Sequence, residues 1–335
     1  MMRLTLGLSD TDRARPLADG SVALAADGLV LETEVTLMPT QALFNKQLVE
    51  HTFDVCEFPV GTYVRTLEQE GQPYLALPVF PSRHFRLSCI FVNADAGIRT
   101  PADLAGRRVG IPVFDMAAAV WLRGILEEHY GLPRTAPTYV SGGLEAARSG
   151  DEHPQFYPPR FTVEHRSDKS LAQLLAEGEI DALYTARAPS TWPSSRVVRL
   201  FDGDAYSSAQ AEELSYFKET GIFPPMHLVA IKRSLADAHP ELVPAVYRAF
   251  TAAQDAARAA LYDSTALSTL LPWQLESLLE AERQLGDDYW ASGFAANRGM
   301  LEVLLRYLAD DGLVSDAHTA ESLFAGPGSE FVLGT

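Results

Sequence analysis

Short apolar runs of strand length alternate with amphipathic stretches of helix length along almost the whole chain, and this alternation limits the fold more than any other feature. The stretch "GRRVGIPVFDMAAAVWLRGILEEHYG" shows the repeating unit. Arg108–Ile111 reads as a strand, residues 112–115 as a turn, and Val120, Trp121, Gly124, Ile125 and Glu128 fall on one stripe of the helix that follows. Read in the same way, strands are expected near 3–8, 33–37, 53–57, 74–79, 87–93, 108–111, 161–164, 180–184, 197–200 and 227–232. Helices fit 40–50, 61–70, 101–105, 115–129, 168–177, 207–219, 234–238, 240–262, 269–284 and 298–311. The pattern predicts an α/β fold of mostly parallel sheets covered by helices. With 335 residues, 47% of them hydrophobic, the chain has material for two medium-sized cores.

Two stretches read as crossings between lobes. "LSCIFVNADAGIRTPADLAGRRVGIP" sets an extended strand just before a new strand–helix unit, and "TGIFPPMHLVAIKRSLADAHPELV" sets another after the middle region has closed. The expected organisation is therefore an outer lobe of 1–93 and 226–335, an inserted lobe of 94–225, crossings near Ile90 and Val229, and a ligand cleft between the lobes. The stretch "SGGLEAARSGDEHPQFYPPR" reads as a surface loop.

Charge narrows the partner. A formal charge of −17 argues against a nucleic acid or an anionic membrane, which need clustered Lys and Arg, and leaves a small molecule. The amino-terminal stretch shows no apolar segment of signal or membrane-span length, so a cytoplasmic protein is expected. Cys56 and Cys89 lie in strand-like surroundings without metal-ligand spacing and read as buried, reduced core residues; by count alone, one disulfide stays open. No His or Cys cluster has metal spacing, and no cofactor or metal is expected. Homo-oligomer formation is left open.

The order "DVCEFPVGTYV", "SRHFRLSCIFVN", "IRTPADLAGRRVGIP", "MAAAVWLRGILEEHYG", "GEIDALYTARAPSTW", "TGIFPPMHLVAIKR" and "GDDYWASGFAANRGMLEVLLRY" resembles the 4,5-dihydroxyphthalate decarboxylase family over nearly the whole chain. "ADLAGRRVGIP" alone is common in binding proteins; "MAAAVWLRGIL" with "TGIFPPMH" and "GDDYW" is far more specific. The resemblance implies a two-lobed fold like that of type II periplasmic binding proteins, and a cofactor-independent, non-oxidative decarboxylation of a hydroxylated aromatic acid. Such chemistry needs a proton donor over the ring, cations or amides on any retained carboxylate, and exclusion of water.

Several residues qualify for these parts. His227, its approach fixed by two prolines, is a candidate general acid, against the reading of a core histidine. His84 is a second candidate donor. Arg83 and Arg86, which bracket it, and Arg187 after "IDALYTA" suit a substrate carboxylate, against the reading of surface ion pairs. Asp12, Arg13 and Glu57 follow or end predicted strands and are expected at the substrate, or else in turns and caps. Asp115 is either the N-cap of its helix, accepting from Ala117 or Ala118, or a group drawn into the pocket beside Phe114.

The chain departs from the family pattern where it has Thr11 in place of tyrosine, Leu87 in place of histidine, and Val113, Phe114 and Asp115 in place of a Glu-Tyr-Gln run. These changes predict an altered polar inventory in the pocket and leave the substrate open. The alternatives are a solute-binding protein for a small acid, which requires an export signal or lipid-attachment cysteine, and a cytoplasmic ligand sensor on the same fold.

Overall fold

The computed structural model describes residues 1–69, 71–149 and 156–335. Its strands in chain order are β1 (Met2–Ser9), β2 (Leu31–Met38), β3 (Val55–Pro59), β4 (Tyr74–Arg83), β5 (Ile90–Asn93), β6 (Arg108–Ile111), β7 (Thr138–Ser141), β8 (Val163–His165), β9 (Ala182–Tyr184), β10 (Val197–Arg199) and β11 (Pro225–Lys232). The chain divides into two compact units. One holds Met1–Arg83, Pro225–Glu302 and His318–Thr335; the other holds His84–Pro224 and Val303–Ala317.

In the first unit the sheet order is β2-β1-β3-β11-β4, with β1 parallel to β2 and β3, and β11 antiparallel to β3 and β4. The chain leaves β1 for β2 on one side and then returns to β3 on the other. The carboxyl ends of β1 and β3 therefore flank a topological switch point, where open α/β sheets bind ligands. Val55, Cys56, Glu57 and Phe58 of β3 are all buried, as expected for a central strand covered on both faces. The helix Leu242–Tyr262 packs on β4 through a buried stripe that includes Leu242, Val246, Ala249 and Ala253. The helix Thr40–Glu50 packs on β1 and β3.

In the second unit the order is β10-β5-β9-β6-β7-β8. Strands β9, β6, β7 and β8 are parallel, whereas β5 runs antiparallel to β9 and β10 antiparallel to β5. From β6 the chain builds β7 and β8 on one side and β9 on the other. Residues 112–115, after β6, and 185–187, after β9, therefore stand at this unit's switch point. The helix Ala117–Tyr130 connects β6 to β7 and is buried from Ala117 through Leu126. Gly124 permits the close approach of Tyr307: a Cβ at this position would fall 2.2 Å from the tyrosine ring. Asp311 follows, its carboxylate 2.6 Å from Arg123 and 2.9 Å from Arg134.

Both sheets are mixed, although the pattern predicted mostly parallel ones, because pairing direction leaves no mark on an apolar run buried on both faces. Three details also differ from expectation. The strand β7 was not expected, since a run of this length between Pro137 and Gly142 carries too short a pattern. The helix expected from 269 begins at Gln274, after Pro272. The boundary expected at 93/94 lies instead at His84, because β5 pairs with β9 and β10, and Val303–Ala317 joins the same unit. Of the loop expected over 141–160, residues 150–155 lie outside the described residues. Cys56 and Cys89 are buried and form no disulfide.

Candidate active site

Antiparallel pairing brings the amino end of β11 to the carboxyl end of β3. Glu57 lies opposite Val229, so His227, two residues away on the same face, is its diagonal neighbour. The imidazole Nδ1 donates to Glu57 Oε1 at 2.5 Å, and the Ser9 amide donates to Oε2 at 2.9 Å. Phe44 presents a ring edge to His227, centroid to centroid 4.8 Å. Ser9 Oγ lies 3.0 Å from Thr40 Oγ1 at the start of the helix that carries Phe44. Glu57 is buried, while the His227 side chain keeps 17% exposure. Its Nε2 has no hydrogen-bond partner among the described residues.

Burial works against charge on Glu57, but the hydrogen bond and charge of His227 and the Ser9 donors outweigh it. The carboxyl is held below the ordinary value of 4.5. A carboxyl whose folded-state pKa is depressed stabilises fully above its unfolded value and loses that contribution as pH falls through the folded one. Thermal unfolding between pH 7 and pH 3 should therefore show the parent losing stability below about pH 4.5 more steeply than Glu57→Gln. Equal slopes would mean that the pair contributes nothing to acid stability.

Other candidates on the first unit are committed elsewhere. Arg13 donates through Nη1 to Asp12 at 2.7 Å and through Nε to the Pro81 carbonyl, and its guanidinium lies 4.9 Å from the Trp290 ring centroid. Both residues line a recess of about 240 Å³ with Arg258, Asp288, Tyr289 and Trp290. Arg83, an expected clamp, has protein partners. Its buried guanidinium donates to the Ala291 carbonyl at 3.0 Å and to the Asn297 side chain, and burial lowers its pKa to about 10. These contacts anchor the segment that follows "GDDYW". Glu57, expected at the substrate or else in a turn or cap, bonds protein donors through both carboxylate oxygens.

In the second unit, buried Arg86 donates to the Ala186 carbonyl at 2.9 Å and so ties the turn before β5 to the end of β9. His84 bonds the Phe85 carbonyl through Nδ1, and desolvation, followed by the Arg86 charge, lowers its pKa. A ring that stays neutral at pH 7 is a poor proton donor there. Arg187 is exposed at the carboxyl end of β9, without an ion pair among the described residues. Asp115 is not the cap: the N-cap position is Met116, and the preceding turn is instead held by Arg123 Nη2, which donates to the Phe114 carbonyl at 2.9 Å.

No protein-family model matches the chain. It is 33% identical over 313 residues to a 4,5-dihydroxyphthalate decarboxylase of Comamonas testosteroni, an alignment that spans 92% of this chain and 91% of the relative. The chain belongs to the 4,5-dihydroxyphthalate decarboxylase family. A 4,5-dihydroxyphthalate decarboxylase of Pseudomonas putida is 35% identical over 190 residues, 56% of this chain and 72% of the relative. A structure described as the periplasmic sulfonate-binding protein SsuA from Methylobacillus flagellatus KT matches with a TM-score of 0.52 at 11% identity, over 99% of this chain and 96% of that one. At that identity the likeness concerns the fold alone, which is the α/β fold of periplasmic binding proteins.

Two of the positions expected to depart from the family pattern, Leu87 and Phe114, fall in the core of this member of the decarboxylase family. Leu87 is buried, and Phe114 is fully buried beneath the Arg123 guanidinium, 4.1 Å from its ring centroid, with Phe161 at 4.9 Å. Phe114 was expected at the substrate. Its ring supports the turn after β6, and a phenyl, unlike Tyr or Trp, carries no polar atom that needs a partner when buried. Ser9, Thr40 and Phe44 were not singled out in the sequence. Ser9 ends β1, and Thr40 and Phe44 lie in the first turns of the helix after β2, so their place at strand ends beside the switch point was the available signal. Among the described residues no group of His, Cys, Asp and Glu is arranged to hold a metal ion, and no helix is long and apolar enough to cross a membrane.

Proposed function

We propose that the protein is a non-oxidative decarboxylase of a hydroxylated, phthalate-like acid that works without an organic cofactor and takes its proton from His227. Family membership supports the reaction class. The observation that carries the assignment of the donor is the imidazole held at Nδ1 by a buried carboxylate, with Nε2 open.

The chemistry follows from the substrate class. An oxygen para to the carboxylate, as phenolate, pushes electrons into the ring, and the carboxyl-bearing carbon takes the Nε2 proton. The resulting dienone loses carbon dioxide as the C–C bond breaks; that bond's electron pair restores aromaticity. The ring keeps the new C–H bond, and His227, left neutral, regains a proton from solvent. General acid help of this kind is worth about 10²–10⁴-fold in rate.

A panel of hydroxylated benzoates and phthalates, with released carbon dioxide measured, tests the reading. Turnover is expected for phthalates with a hydroxyl para to a carboxylate, and not for those lacking one. Absence of carbon dioxide from every member, with tight binding of any of them, would contradict a decarboxylase.

A further inference from the structure

We infer that Glu57 is the positioning residue of His227: it fixes the Nδ1–H tautomer and the aim of Nε2, and places a negative charge beside the ring, without touching substrate. The inference rests on the reading of His227 as proton donor. It goes beyond that reading by assigning the tautomer and the orientation of the ring to a second residue.

Three observations carry it. The two carboxylate oxygens are divided, Oε1 taking Nδ1 at 2.5 Å and Oε2 the Ser9 amide at 2.9 Å, so the carboxylate cannot rotate without losing a buried bond. An ionised carboxylate only accepts, so the ring must present N–H at Nδ1. With that proton engaged, Nε2 is the nitrogen left to exchange a proton with a reacting group. The recess that reaches Glu57 between Leu8, Thr11, Arg13 and Gln254 measures about 10 Å³. That is room for about one water and far too little for an aromatic ring.

The charged surroundings are simple. Cys56, adjacent in β3, is fully buried and its thiol is pushed up first by that burial and then by the Glu57 charge, so it stays neutral. Arg13 is engaged by Asp12 and Pro81. Lys232 is paired with Asp54 at 3.0 Å. Among the described residues the carboxylate is therefore the only charged group bonded to the ring, and an opposite charge at hydrogen-bond distance favours the charged form of its partner.

The test compares the parent with Glu57→Gln, Glu57→Asp and His227→Gln. The readouts are the pH profile of kcat for carbon dioxide release from 4,5-dihydroxyphthalate and the ¹⁵N shifts of the His227 ring. In the parent the ring should be protonated at Nδ1 when neutral. In Glu57→Gln kcat should fall at least tenfold at pH 7.5, with the alkaline fall of the profile moved to lower pH. Glu57→Asp, which keeps the charge, should retain the parent's limb with an intermediate rate. A parent ring protonated only at Nε2, or a Glu57→Gln profile superimposable on the parent's, overturns the inference. Full activity in His227→Gln overturns the donor assignment instead, and the ¹⁵N shifts still report on Glu57 in that case.

Discussion

Replacing Asp311 by alanine is expected to destabilise the second unit by about 3–5 kcal/mol, the cost of stripping one partner from a buried ion pair. Arg123 and Asp311 are both fully buried, joined by Nε at 2.9 Å and Nη2 at 2.6 Å to Oδ2, while Oδ1 accepts from Arg134 at 2.9 Å. Without the carboxylate, Arg123 keeps the Phe114 carbonyl and the face of its ring, neither of which carries a compensating charge. Asp311→Asn retains the volume and one acceptor and should fall between parent and alanine. Denaturant unfolding followed by tryptophan fluorescence and circular dichroism measures the loss. A change below about 1 kcal/mol, the range of exposed pairs, would show that the network is not what joins Val303–Ala317 to the helix Ala117–Tyr130.

His227→Gln should lower kcat for carbon dioxide release by about 10²–10⁴-fold. The glutamine amide can still donate to Glu57, so the buried carboxylate keeps a partner, and stability should stay within about 1 kcal/mol of the parent. The same change at His84, whose ring bonds a neighbouring carbonyl and is depressed toward neutrality, should leave kcat within a few-fold. The contrast between the two histidines is the informative part, since both qualified on sequence grounds. Similar losses in both variants, or in neither, would contradict the assignment of the proton to His227.

The alternation of strands and helices was legible because burial on one stripe or both faces imprints a period on the residues themselves. Pairing leaves no such imprint. The strand at Ile90–Asn93 was visible, yet its membership of the second sheet follows from hydrogen bonds to Ala182–Tyr184 and Val197–Arg199, about a hundred residues on. The same reason separates the two outcomes at the candidate site. His227 and Glu57 each stood out, but their bond depends on the antiparallel register of β11 against β3. Arg83 looked like a carboxylate clamp by residue type, and its actual partners, Ala291 and Asn297, lie more than two hundred positions away. Asp115 had the composition of a cap, and the cap position falls one residue later, at Met116.

The central claim is that the protein delivers a proton to a ring carbon as that carbon loses its carboxylate. Incubating it with 4,5-dihydroxyphthalate in deuterium oxide, and locating the label in the product by proton NMR, tests this directly. One deuterium per molecule is expected at the position that carried the carboxylate, with one carbon dioxide per deuterium and both lost together in His227→Gln. Carbon dioxide release without deuterium at that carbon, or a substrate that is bound and recovered unchanged, would contradict it.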